Sequence, residues 1–99
     1  MRLLEEDIEH IKSIAFSIFG TEAVVYLFGS RVSKELRGGD IDLLVITNKK
    51  LNTLHNKLKF LSNVKLLIGD QKIDLIVRSD DQPHTKDLIF KEALAGVKL

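Results

Sequence analysis

Ninety-nine residues supply chain for one domain, with 44% hydrophobic residues to fill a single core and 29% charged residues to cover it. Fifteen basic side chains against fourteen acidic ones leave a formal charge of +1, which argues against the broad cationic surface that grips duplex DNA or long RNA. There is no cysteine, so disulfide frameworks and thiolate metal centres are excluded.

Met1-Arg2-Leu3-Leu4-Glu5-Glu6-Asp7 turns acidic at once and lacks the apolar stretch of a signal peptide. No apolar run reaches membrane-spanning length, so the expected location is the cytoplasm, with no membrane contact. Apolar residues at Leu4, Ile8, Ile11, Ala15, Ile18 and Phe19 predict a helix, with Glu5, Glu6, Glu9 and Lys12 on its other face and Gly20 as its stop. Ala23-Val24-Val25-Tyr26-Leu27-Phe28 predicts a buried strand, with Tyr26 in the core. Gly29-Ser30 turns that strand, Ser30 caps a short helix over Arg31 to Leu36, and Gly38-Gly39 breaks it.

Ile41 to Ile46 predicts a second strand. Asn48 is read as the cap of a helix from about Lys50 to Leu61, packing through Leu51, Leu54, Leu58 and Leu61. Residues 64–68 read equally as a short strand or the end of that helix. Gly69-Asp70 punctuates, Lys72 to Val77 predicts a third strand, and Pro83 breaks the chain. A final helix is expected from about Thr85 to Ala95, ending at Gly96. Leu88, Ile89, Leu94, Val97 and Leu99 are expected mostly in the core, with part of that segment exposed as an interface. The fold class that follows is α+β, a mixed α/β arrangement: a small mixed sheet with helices packed on one face, forming a single domain over residues 1–99.

Strand alternation carries the chemistry. Side chains two residues apart share a face, so Asp40 and Asp42 point one way while Ile41, Leu43 and Val45 point the other. In the third strand Asp74 stands opposite to Ile73, Leu75 and Val77. If these strands are neighbours in register, Asp40, Asp42 and Asp74 converge. Three close carboxylates repel and raise one another's pKa unless a cation neutralises them, and Mg²⁺ is the hard, oxygen-seeking candidate. Two such ions roughly 3.5–4 Å apart can clamp an in-line displacement. The Gly29-Ser30 turn offers backbone N–H groups to a phosphate, with Arg31 and Lys34 nearby to add charge. Taken singly, a Gly-Ser turn is an ordinary turn, an Asp-Ile-Asp is a solvated strand end, and Arg31 and Lys34 are solvated helix charges. Asp74 is harder to dismiss, because an acid inside Ile73-Asp74-Leu75-Ile76-Val77 needs a partner if buried. His10, His55 and His84 share no metal-ligand spacing.

The series Gly29-Ser30-Arg31, Asp40-Ile41-Asp42-Leu43 and Lys72-Ile73-Asp74-Leu75 resembles the nucleotidyltransferase superfamily that includes DNA polymerase β. More narrowly, it is similar to the minimal nucleotidyltransferases that act with HEPN-domain proteins. The chain has nine residues between Ser30 and Asp40, where many minimal members have ten, and Gly39 where a serine is frequent. The resemblance implies a polymerase β-like fold, nucleotide binding by Gly29 and Ser30, Mg²⁺ ligation by Asp40, Asp42 and Asp74, and help from Asp74 in activating an acceptor hydroxyl. It implies transfer of a nucleoside monophosphate to that hydroxyl with release of pyrophosphate, ATP being the usual donor and giving adenylylation.

Larger relatives carry a further domain for the acceptor. The resemblance therefore implies that a HEPN-type partner protein supplies it, with this chain as antitoxin modifying a tyrosine of the toxin. A homodimer or hetero-oligomer is compatible with that role. The competing expectation, from a different class, is a non-catalytic module that neutralises a HEPN protein by occlusion. Addition to an RNA end is disfavoured by the near-neutral charge.

Overall fold

The computed structural model describes residues 5–28, 41–69, 72–80 and 96–99. Among these residues two helices and four strands follow in the order α1 (Glu5–Phe19), β1 (Val24–Phe28), β2 (Ile41–Thr47), α2 (Leu54–Ile68), β3 (Ile73–Ser79) and β4 (Val97–Lys98). The strands form one sheet in the order β3-β2-β1-β4. β1 runs antiparallel to β2 and to β4, whereas β2 and β3 are parallel and joined through α2. The fold is therefore α+β with a mixed sheet, as the sequence predicts. The short helix expected over Arg31 to Leu36 and the final helix expected over Thr85 to Ala95 lie outside the described residues.

Both helices cover the same face of the sheet. Ile11, Ala15, Ile18 and Phe19 of α1 and Phe60 and Val64 of α2 pack on Val25, Leu27, Ile41, Leu43, Val45, Ile73, Leu75 and Val77. The Phe19 and Phe60 rings meet at 5.7 Å between centroids and 52° between planes, which joins the two helices over the sheet. Gly20 ends α1 as expected. It adopts φ 97°, a left-handed conformation open to glycine, and its N–H donates to the Phe16 carbonyl. The exit is then tied to the sheet by the buried Thr47 hydroxyl, which donates to the Phe19 carbonyl at 2.6 Å.

The second helix departs from the sequence reading. It runs from Leu54 to Ile68 rather than from about Lys50 to Leu61, and its N-cap is Thr53 rather than Asn48. The Thr53 side chain accepts from the Asn56 N–H at 3.1 Å. Asn48 instead closes a separate turn, its Oδ1 accepting from the Leu51 N–H. Two capping residues five positions apart compete here, and the local turn wins at Asn48 because Asn52 is drawn to the end of β3, where its Nδ2 donates to the Ser79 Oγ at 2.9 Å. The helix also turns a different face to the sheet. Leu54 is 71% and Leu58 54% exposed, while Phe60 and Val64 are fully buried. Of the predicted leucine stripe, Leu54 and Leu58 are thus outside the core while Leu61 packs against it and Leu51 is half-buried, and residues 64–68 are helix rather than strand.

The C-terminal residues add a strand where the sequence reading placed none. Val97 and Lys98 form β4 against Leu27 and Tyr26, and Val97 is exposed while Leu99 packs on the core. Gly96 lies so close to the end of β1 that a Cβ would overlap the Leu27 carbonyl oxygen and approach the Phe28 Cβ at 2.8 Å. Those contacts are backbone and near-backbone atoms, which cannot yield as a side-chain tip can. Gly96→Ala is therefore expected to destabilise the domain by about 2–3 kcal/mol and to loosen β4. Urea unfolding checks the energy. Exchange of the Leu99 amide, which donates to the Val25 carbonyl, checks the pairing.

Candidate active site

The β2–β3 register decides what the carboxylates can do. In this parallel pair Asp42 stands directly across from Asp74. Neighbouring strands lie about 4.8 Å apart, so the two carboxylates leave the same face side by side. In the β1–β2 pair Asp42 also stands across from Phe28. One row across the sheet thus reads Phe28, Asp42, Asp74. Phe28 is the last residue of β1, and Gly29 is next in the chain. The strand that leads into the Gly29-Ser30 sequence therefore ends beside the acidic pair. Gly29, Ser30, Arg31, Lys34 and Asp40 themselves lie outside the described residues.

The opposite face is the one packed beneath the helices, with Ile41, Leu43 and Val45 of β2 beside Ile73, Leu75 and Val77 of β3. The alternation read from the sequence holds in both strands. Asp42 is half-buried and Asp74 exposed. Two like charges directly opposite on adjacent strands cost stability on their own. Both are hard oxygen donors, which is the donor set that suits Mg²⁺ or another hard divalent cation. Among the described residues no three His, Cys, Asp or Glu side chains gather as a metal-binding group. The described part of the site thus offers two carboxylates. His10 and His55 are exposed, and His84 lies outside the described residues.

Sequence reasoning missed what surrounds the acidic pair. Beyond Asp42 and Asp74 this face turns apolar at once. Phe28 and the fully buried Leu44 form a second cluster, with Tyr26, Ile46 and Ile76 packed against it. Tyr26 belongs to this cluster and not to the main core. The signal was present in the unbroken apolar runs Val24–Phe28 and Leu43–Ile46, since a strand covered on both faces loses its polar alternation. The acids sit at the polar end of a largely apolar face. Low-polarity neighbours strengthen their interaction with any cation.

Two cavities of about 230 Å³ each occur among the described residues, and neither includes Asp42 or Asp74. One is a groove between the start of α2 and β3, lined by Asn52, Thr53, Leu54 and Lys57 on one side and residues 75–78 on the other. The second, bordered by Glu22, Thr47, Asn48 and Asp80, lies at the far end of β2 from Asp42. No helix of the described residues is long and apolar enough to cross a membrane.

A family model described as "Polymerase beta, Nucleotidyltransferase" matches residues 6–95. No curated protein and no solved structure matches the chain.

Proposed function

Because the chain belongs to the polymerase β nucleotidyltransferase family, we propose that it transfers AMP from ATP to a hydroxyl of a HEPN-domain partner protein and acts as the antitoxin of that pair. The family supports nucleotidyl transfer in general. The observation that carries the site is the pairing of Asp42 with Asp74 in register, next to the strand end that leads into Gly29-Ser30.

In this reading Asp42 and Asp74, joined by Asp40, hold Mg²⁺, and two ions suit the three carboxylates. Bound there, Mg²⁺ supplies charge neutralisation to the phosphates and lowers the pKa of the acceptor hydroxyl. Gly29 and Ser30 present backbone N–H groups to the triphosphate, and Arg31 and Lys34 add cationic contacts. The acceptor oxygen forms a bond to the α-phosphorus while the bond from that phosphorus to the oxygen bridging to the β-phosphate breaks. Pyrophosphate leaves with that electron pair, and the hydroxyl proton passes to the Asp74 carboxylate. Phe28 and Leu44 limit water on the Asp42 side of the acidic pair.

The test is incubation of the protein with each labelled nucleoside triphosphate, Mg²⁺ and a HEPN protein from the neighbouring reading frame. Label from ATP is expected on a tyrosine of the partner. Absence of transfer from every triphosphate sinks the catalytic reading. If an Asp40→Ala, Asp42→Ala double variant neutralises the partner as well as the wild type, neutralisation works by occlusion instead.

A further inference from the structure

We propose that β3 is the interface of a homodimer, pairing antiparallel with β3 of a second copy about a two-fold axis through Ile76. β3 is a seven-residue edge strand, with β2 on one side and no strand on the other among the described residues. The direction of its backbone groups follows from two bonds: Ile41 N–H donates to the Lys72 carbonyl, and Asp80 N–H donates to the Thr47 carbonyl. Even-numbered residues of β3 therefore turn their N–H and C=O toward β2. Ile73, Leu75, Val77 and Ser79 turn theirs outward. The Val77 carbonyl bears this out, since it accepts from the Arg78 guanidinium at 3.3 Å and not from a strand.

An outward row of this kind pairs with its own copy when odd residues meet odd residues. Several registers satisfy that, and charge selects among them. The segment reads Lys72-Ile73-Asp74-Leu75-Ile76-Val77-Arg78-Ser79-Asp80. With the axis at Ile76, Asp74 faces the partner's Arg78, Lys72 faces the partner's Asp80, and Ile76 faces the partner's Ile76. Moving the axis to Leu75 sets Lys72 against the partner's Arg78. Moving it to Val77 sets Asp74 against the partner's Asp80. Both shifted registers oppose like charges, so of these three long-overlap registers the one through Ile76 is the self-complementary one. In that register the outward groups of Leu75 bond those of the partner's Val77, and those of Ile73 bond those of the partner's Ser79. Asp74 and the partner's Arg78 then form a closely spaced pair with Cα atoms about 4.5 Å apart. In the dimer the Val77 carbonyl accepts from the partner's Leu75 N–H in place of the Arg78 guanidinium.

The helix above this edge supplies apolar area that a strand pair lacks. Leu54 and Lys57 line the groove against residues 75–78, which places that face of α2 over the β3 edge. Leu58, one turn on, shares the Leu54 face. These are the leucines that the domain leaves 71% and 54% exposed, and a partner's α2 would cover them. The dimer would join two four-stranded sheets into one through the paired β3 strands, removing an apolar edge that invites aggregation. It also extends the row Phe28, Asp42, Asp74 by the partner's Arg78. The dimer stands independently of the nucleotide reading. Only a role for the partner's Arg78 beside the triphosphate rests on it.

Sedimentation velocity of the full chain from low to high micromolar concentration, without nucleotide, tests this. The wild type is expected to dimerise. Arg78→Asp and Asp74→Arg are each expected to weaken the dimer by roughly ten- to a hundredfold, because each contact occurs twice, and the double swap Asp74→Arg, Arg78→Asp is expected to restore it. Leu54→Lys with Leu58→Lys changes only exposed side chains. It is expected to weaken the dimer while the thermal midpoint of the dilute protein stays the same, which keeps the test open if a strand variant fails to fold. A wild type that remains monomeric throughout overturns the proposal, as does a dimer indifferent to Arg78→Asp. Because sedimentation reads assembly and labelled ATP reads transfer, failure of one leaves the other intact.

Discussion

Asp42→Asn is expected to lower nucleotidyl transfer by roughly a thousandfold or more, the loss of about 4 kcal/mol of transition-state stabilisation that a cation-holding carboxylate supplies. Asp42 is the central acid of its row, with Asp74 on one side and the end of β1 on the other. Asparagine keeps its shape and removes its charge. It also relieves the repulsion with Asp74, so the unfolding free energy measured in urea is expected to change by about 1 kcal/mol or less. The two effects separate a site residue from a structural one. A further readout is thermal: Mg²⁺ with nucleotide should raise the wild-type midpoint, because a ligand that binds the folded state alone stabilises it. That rise should be absent in Asp42→Asn. Transfer within tenfold of wild type, or an unchanged Mg²⁺-dependent rise, would remove Asp42 from the role.

Phe60→Ala is expected to cost about 3–5 kcal/mol, while Leu58→Ala, two residues away on the same helix, stays within about 0.5 kcal/mol for the monomer. Phe60 is fully buried between Phe19 and the sheet, and its removal leaves a cavity beneath both helices. Leu58 is 54% exposed and is absent from the core that α2 shares with α1 and the sheet. Urea unfolding of both variants at dilution, where assembly does not contribute, decides the matter. A domain with about 5–15 kcal/mol of total stability would lose a large fraction of it at Phe60. Equal costs at the two positions would mean that α2 is rotated from the arrangement described.

The contrast between Phe60 and Leu58 shows where sequence reading reached its limit. Leu51, Leu54, Leu58 and Leu61 fall at helical spacing and are the most apolar stripe in that segment, so periodicity points to them. Periodicity finds a stripe but not which stripe faces the sheet. Here that was decided by packing of Phe60 and Val64 on the sheet and on Phe19, while Thr53 caps the start and Asn52 bonds Ser79. In the strands the period is two, so a buried face fixes the orientation of every acid. Asp42 and Asp74 are correspondingly placed as alternation predicts.

What the sequence by itself determined is the class of fold, the strands that carry the acids and the face on which Asp42 and Asp74 lie. Each depends on local pattern: an aliphatic residue at every second position must point to the core, and the acid between must point away. Tertiary structure alone decided that β2 and β3 are adjacent, parallel and in register, which turns two isolated acids into a pair. It also decided that β1 and β4 meet through a glycine too close for any side chain, and that β3 is left at the edge with leucines above it. Strand adjacency and helix rotation depend on contacts between residues far apart in the chain, whose combined packing free energy outweighs the preference of any one segment.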